Sequence, residues 1–166
     1  MVLRKLKNIF PSNKSFSKAF KNIIDDLLKS NSISEIEFEK IWKAYKISES
    51  AHSNQRRRSG EPYFNHCIEV ACNLAKWEMS SDVIIAGLLH DSIEDTIITK
   101  ENIINEFGND IYTLVDGVTK LSDIKFNSRQ QKQAENFMKM FLSVASDIRV
   151  IIIKFADRLH NMQTIS

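Results

Sequence analysis

The chain has 166 residues, 43% of them apolar, and a formal net charge of +2. That length suggests one domain with an ordinary globular core. The charge is too small to argue for a nucleic-acid-binding surface, and no run approaches the ~20 apolar residues of a membrane span.

Only four Gly and two Pro are present, so helix breakers are scarce and a mostly helical protein is expected. Met1 to Phe10 is basic and partly apolar but lacks the continuous apolar core of a signal peptide. Residues 1–33 are rich in Lys, Asn and Ser and read as a frayed end or a packing arm. Within them Phe16, Phe20, Ile23, Ile24, Leu27 and Leu28 keep helical spacing. Ile36 to Tyr45 repeats that spacing, with Trp42 and Tyr45 on the apolar side.

Arg56-Arg57-Arg58-Ser59-Gly60-Glu61-Pro62 breaks the pattern and reads as a loop. Pro62 suits the first turn of the next helix, which carries Tyr63, His66, Val70, Leu74 and Trp77. Ser81 or Asp82 is expected to cap a helix running through Val83, Ile84, Ala86, Leu88 and Leu89 into His90 and Asp91. Thr99 with Asn102 opens a short helix closed near Gly108. Asp110 to Leu121 and Gln130 to Ala145 follow, joined by a polar stretch. From Asp147 the β-branched run Ile148 to Ile153 would suit a strand. Helical spacing continues through Phe155, Ala156, Leu159 and Met162 with no second strand to pair, so a helix is expected. Cys67 and Cys72 are too close in sequence to staple much and are not a Cys-x-x-Cys pair. They read as reduced thiols in a cytosolic protein.

The chemistry gathers at Leu88-Leu89-His90-Asp91-Ser92-Ile93-Glu94-Asp95-Thr96. On a helix His90 stacks over Glu94, and Asp91 over Asp95. Four polar groups behind an apolar run are expensive to bury unless a metal or a partner satisfies them. His90 and Asp91 need further ligands to make a metal site, and His66 and Asp157 are the candidates. Asp157 again follows an apolar run directly, in Phe155-Ala156-Asp157-Arg158-Leu159-His160-Asn161-Met162. Two imidazoles with two carboxylates suit Mn, Fe or Zn and are poor for Ca. Such an ion lowers the pKa of a water and polarises a phosphoryl group. Glu94 and Asp95 are then placed to handle protons. Taken singly, His66 is an ordinary core histidine, Asp157 beside Arg158 a plain ion pair, and the three arginines a solvated loop. A phosphate or base clamp is the functional alternative for those arginines. His52 and His160 have no partner readable from sequence.

The segments Arg57-Arg58-Ser59-Gly60-Glu61-Pro62-Tyr63-Phe64-Asn65-His66, His90-Asp91-Ser92-Ile93-Glu94-Asp95-Thr96, Val115-Asp116-Gly117-Val118-Thr119-Lys120-Leu121, Gln133-Ala134-Glu135-Asn136-Phe137 and Asp157-Arg158-Leu159-His160-Asn161-Met162 occur in this order. Together they closely resemble the N-terminal hydrolase domain of the RelA/SpoT family, a branch of the HD-domain phosphohydrolases. The resemblance covers residues 45–166 and leaves 1–44 as an N-terminal helical arm.

It implies an all-α HD fold, one Mn²⁺ ion, and removal of the 3′-pyrophosphate from guanosine tetra- or pentaphosphate in the cytoplasm. By matched position His66, His90, Asp91 and Asp157 would hold Mn²⁺. Glu94 and Asp95 would be the catalytic carboxylates. Arg57 would stack on guanine, and Asn161 and Thr164 would bind the nucleotide. Synthetase-only members lack the His-Asp and Glu-Asp pairs, and this sequence keeps both. Cys67 stands where the family usually has Pro. The chain stops at Ser166, short of the further helices and synthetase domain of the family, so no synthetase activity is expected. The rival readings are an HD phosphohydrolase acting on another nucleotide and a non-catalytic fragment that binds nucleotide or protein. The short C-terminus is also expected to uncover the last helices, especially Ile151–Ile153. That exposure would favour self-association or a marginal, metal-dependent fold.

Overall fold

The computed structural model describes residues 17–30, 33–122 and 147–164. Among them the helices are α1 (Lys18–Ser30), α2 (Glu35–Ala51), α3 (Phe64–Lys76), α4 (Ser81–Leu89), α5 (Ser92–Asp95), α6 (Lys100–Phe107), α7 (Asn109–Ser122) and α8 (Ile148–Gln163). No strand occurs among the described residues, and the all-helical expectation holds. The Gln130 to Ala145 helix and the Gln133 to Phe137 motif lie outside the described residues, as does Phe16.

Local chemistry sets several helix ends. Ser34 and Glu37 form a reciprocal capping box at the start of α2. Thr99 and Asn102 form another at α6, which ends at Gly108 as its sequence implied. The Asp147 carboxylate accepts from the Arg149 N–H and caps α8. The expected cap of α4 is corrected. Ser80 is its N-cap and makes no side-chain bond there. The Ser81 hydroxyl instead donates to Glu37 Oε1 at 2.8 Å, tying α4 to α2. The Pro62 expectation is corrected as well. Pro62 forms an isolated antiparallel bridge with Arg56, and α3 starts at Phe64. The Arg57 N–H donates to the Glu61 carbonyl within this loop. Gly60, at φ +88°, makes the reversal that a side chain would strain.

α4 is apolar on every side and is accordingly the central helix. Val83, Ile84, Ile85, Ala86, Leu88 and Leu89 are all buried. It packs against α2, α3, α7 and α8. Gly87 permits the close approach to α3, since a Cβ there would stand 2.4 Å from the buried Leu74 Cδ1. α1 joins the same core through Phe20, Ile23, Ile24 and Leu27. Phe20 meets the rings of Phe38, Trp42 and Tyr45 edge-on.

α8 confirms the helical reading of its isoleucine run and corrects the expectation about its exposed face. Ile151 and Ile153 are buried, and Ile152 is partly buried against the core. Successive residues turn by about 100°, so Ile151–Ile153 cannot share one open face. The exposed apolar residues of α8 are Ile148, Phe155, Leu159 and Met162. Cys67 and Cys72 are buried free thiols, each pushed up to about 12 by burial.

Candidate metal centre

The apolar faces of α3, α4 and α8 bring three distant polar groups together. His66 lies in the first turns of α3, His90 caps the end of α4, and Asp157 sits on the buried side of α8. One donor atom from each lies within 4.8 Å of the other two. His66 Nε2 stands 3.3 Å from Asp157 Oδ1 and 3.7 Å from Asp91 Oδ2. His90 Nε2 stands 2.9 Å from Asp91 Oδ2. The expected continuous helix from Leu88 to Asp95 is interrupted. His90 Nδ1 meets the Gly87 carbonyl at 2.8 Å, the acceptor a continuing helix would offer to Asp91. Asp91, at ψ 0°, bends the chain, and α5 restarts one residue later. The turn from Asp91 to Asp95 survives, with the Asp95 N–H on the Asp91 carbonyl.

The carbonyl oxygen of Gly87 can only accept, so His90 Nδ1 carries a proton. His90 Nε2 is then the atom directed at the carboxylates. It is wholly enclosed and has no properly directed hydrogen-bond partner. Burial disfavours a charged His90, but the adjacent Asp91 carboxylate, with Asp157 and the Gly87 carbonyl, outweighs that and raises its pKa. Burial also opposes ionisation of Asp91 and Asp157. The charge of His90 at Asp91, and the His66 and Lys154 contacts at Asp157, outweigh it and hold both carboxyls well below the usual range. The net directions, His90 up and both carboxyls down despite burial, favour positive charge among these side chains. The C-terminal end of α4 adds its own negative potential. Two donors ~2.1 Å from one transition-metal ion stand ~3 Å apart at a right angle. The three His–Asp separations, 2.9 Å for His90–Asp91, 3.3 Å for His66–Asp157 and 3.7 Å for His66–Asp91, are of that size.

Glu94 and Asp95 lie on α5, exposed at the rim and outside the three-residue cluster. Tyr63 ties Asp95 to the centre. Its hydroxyl donates to Asp91 Oδ2 at 2.7 Å and reaches Asp95 Oδ2 at 3.3 Å. Burial and the Asp91 charge push the Tyr63 phenol far up, so it remains a donor. Gln55 donates to the Asp95 carbonyl and meets His52 Nδ1 at 2.6 Å, while the His52 ring stacks on Tyr63.

Arg57 reaches the same centre from the loop. Its Nη2 donates to Asn161 Oδ1 at 2.5 Å, and Asn161 Nδ2 donates to Asp157 Oδ1 at 2.5 Å. Its Nη1 lies 3.0 Å from His160 Nδ1. His160 Nδ1 is also 2.7 Å from His66 Nδ1. Burial, then the charges of His66 and Arg57, push His160 down to about 4. Thr164 caps α8, its hydroxyl donating to the His160 carbonyl at 2.9 Å. Arg56, Arg57, Arg58, Ser59, Tyr63, Asn161 and Thr164 line an adjoining cavity of about 710 Å³.

The HD-domain family profile matches residues 44–166. The chain belongs to the HD-domain family. Within that family it falls among SpoT-type sequences. It is 43% identical to the guanosine-3′,5′-bis(diphosphate) 3′-pyrophosphohydrolase of Borreliella burgdorferi over 164 residues, 99% of this chain and 23% of the relative. It is 45% identical to the bifunctional (p)ppGpp synthase/hydrolase SpoT of Escherichia coli over 131 residues, 79% of this chain and 19% of the relative. This HD domain therefore spans about a fifth of the length of these relatives. A solved structure of a metazoan ortholog of SpoT that hydrolyzes ppGpp superposes with a TM-score of 0.62 at 30% identity. The match covers 80% of this chain and 71% of that one. No described helix is long and apolar enough to cross a membrane.

Of the residues singled out in the sequence, the structure clusters His66, His90 and Asp157 and sets Asp91 beside the two histidines; the side chains that support them were missed. Tyr63 was read only as a member of the helix after Pro62 and of the Arg57–His66 motif, with no role of its own. His160 was left without a partner, although its spacing three residues after Asp157 puts both on one side of α8.

Proposed function

We propose that this HD domain is a Mn²⁺-dependent hydrolase that removes the 3′-pyrophosphate of guanosine tetra- or pentaphosphate, leaving GDP or GTP. The observation that carries the reading is the enclosed His90 Nε2 among His66, Asp91 and Asp157, beside a cavity lined by arginines. The identities to a guanosine-3′,5′-bis(diphosphate) 3′-pyrophosphohydrolase and to a bifunctional (p)ppGpp synthase/hydrolase support the substrate class. His66, His90, Asp91 and Asp157 hold the ion. When bound, Mn²⁺ supplies Lewis acidity that makes a water more acidic and offsets phosphoryl charge.

The chain's own groups do the rest. Arg57 is fixed in plane by Asn161 and His160, which leaves the faces of its guanidinium for the guanine ring. Asn161 and Thr164 line the same cavity and bind the nucleotide. Glu94 and Asp95 take the proton as the water oxygen bonds to phosphorus and the bond to the 3′-oxygen breaks. The proton then goes to that oxygen, and pyrophosphate leaves. In a cell this lowers the alarmone and switches off the stringent response in the cytoplasm.

Purified protein incubated with Mn²⁺ and a nucleotide panel tests the substrate assignment. Guanosine tetraphosphate is expected to be hydrolysed well ahead of the other nucleotides. Preference for a deoxynucleoside triphosphate would transfer the case to another HD phosphohydrolase. The exposed Ile148, Phe155, Leu159 and Met162 of α8 support self-association through that face. Light scattering is expected to give a mass above 19.2 kDa, and a monomer at all concentrations counts against it.

A further inference from the structure

We infer that His160 is a positioning residue that locks His66 in the tautomer needed to bind the metal, and that Arg57 fixes His160 in turn. The inference rests on His66 being a metal ligand, as proposed above. Arginine donates and never accepts. Its Nη1 stands 3.0 Å from His160 Nδ1, so that nitrogen offers a lone pair and the His160 proton sits on Nε2. His66 Nδ1 stands 2.7 Å from the same His160 Nδ1, and it must therefore be the donor. With its proton on Nδ1, His66 turns the lone pair of Nε2 toward Asp157 Oδ1 and Asp91 Oδ2, 3.3 and 3.7 Å away.

A metal-ligating histidine usually donates its second N–H to a carboxylate, a backbone carbonyl or water. His90 follows that habit on the Gly87 carbonyl. His66 relies on a third imidazole instead, buried beside it with the rings 5.0 Å apart. Because His160 takes its orientation from Arg57, the nucleotide cavity and the metal centre share one hydrogen-bonded chain. Asn161 adds a parallel link from Arg57 to Asp157.

Two substitutions and one spectrum test this. Asn at position 160 places an amide oxygen about where Nδ1 stands, whereas Leu removes the acceptor. His160→Leu is expected to weaken Mn²⁺ binding by about 10- to 100-fold, measured by titration calorimetry or by the paramagnetic resonance of free Mn²⁺. His160→Asn is expected to restore most of it. Equal Mn²⁺ affinity in wild type and His160→Leu, or no recovery in His160→Asn, overturns the inference.

Long-range proton–nitrogen NMR of the unaltered, metal-free protein decides the matter even if His160→Leu fails to fold. A bare Nδ1 on His160 with a protonated Nδ1 on His66 supports the inference. A proton on His160 Nδ1 overturns it. If wild type binds no Mn²⁺, the metal reading fails, while the tautomer spectrum still judges His160.

Discussion

Replacing His90 or Asp91 with Ala is expected to abolish bound Mn²⁺ and turnover together, while Glu94→Gln and Asp95→Asn keep the metal and lose mostly rate. The division follows from position. His90 is fully enclosed and presents Nε2 to the carboxylates without a hydrogen-bond partner. Asp91 Oδ2 lies within 3.7 Å of Nε2 on both His66 and His90. Removing either leaves the remaining buried charges and lone pairs facing one another, which costs more than the contact itself. Glu94 and Asp95 stand at the exposed rim, where a carboxylate can meet water and substrate but contributes nothing to enclosing an ion. Loss of a proton-transfer group slows turnover by ~10²–10⁴-fold. Metal content and kcat measured on the four variants check the assignment. Equal Mn²⁺ loss in all four would mean that the rim carboxylates are ligands.

Arg57→Ala is expected to weaken guanine-nucleotide binding strongly, and Arg56→Ala hardly at all. A guanidinium over a ring is worth ~0.5–1 kcal/mol at an exposed site and ~2 kcal/mol or more when desolvated, which is about thirty-fold in affinity at the upper figure. Arg57 is half-buried and held by Asn161 and His160, so little entropy is lost when a base settles on it. Arg56 is exposed and spends its guanidinium on the Gly60 carbonyl across the loop. Equilibrium dialysis with a guanine nucleotide distinguishes the two variants. Identical binding would reduce the run to a solvated loop. From sequence Arg57 was expected only to stack on guanine. Its bonds to His160 and Asn161 add a secondary loss of Mn²⁺ affinity.

What the sequence disclosed and what it hid have physical reasons. α4 was plain because a run from Val83 to Leu89 has nowhere to go but the core, and the polar pair that follows is conspicuous. Thr99 with Asn102 announced α6 because the capping box is a local contact. The start of α3 was misjudged because Pro62 is engaged by Arg56 across the loop, a pairing that no local rule describes. The break at His90–Asp91 depends on the imidazole capturing the Gly87 carbonyl, which competes with the helix ladder and leaves no trace in spacing. His160 escaped for the same reason. Its partners, His66 and Arg57, are far away along the chain, and only the packing of α8 on α3 brings them within reach.

The most direct test of the central claim is the product pattern from guanosine tetraphosphate with and without Mn²⁺. The account predicts GDP and intact pyrophosphate in equal amounts when Mn²⁺ is present, and neither after chelation. A folded protein that binds Mn²⁺ and the nucleotide but releases no pyrophosphate would contradict it, and would make this HD domain a binding module.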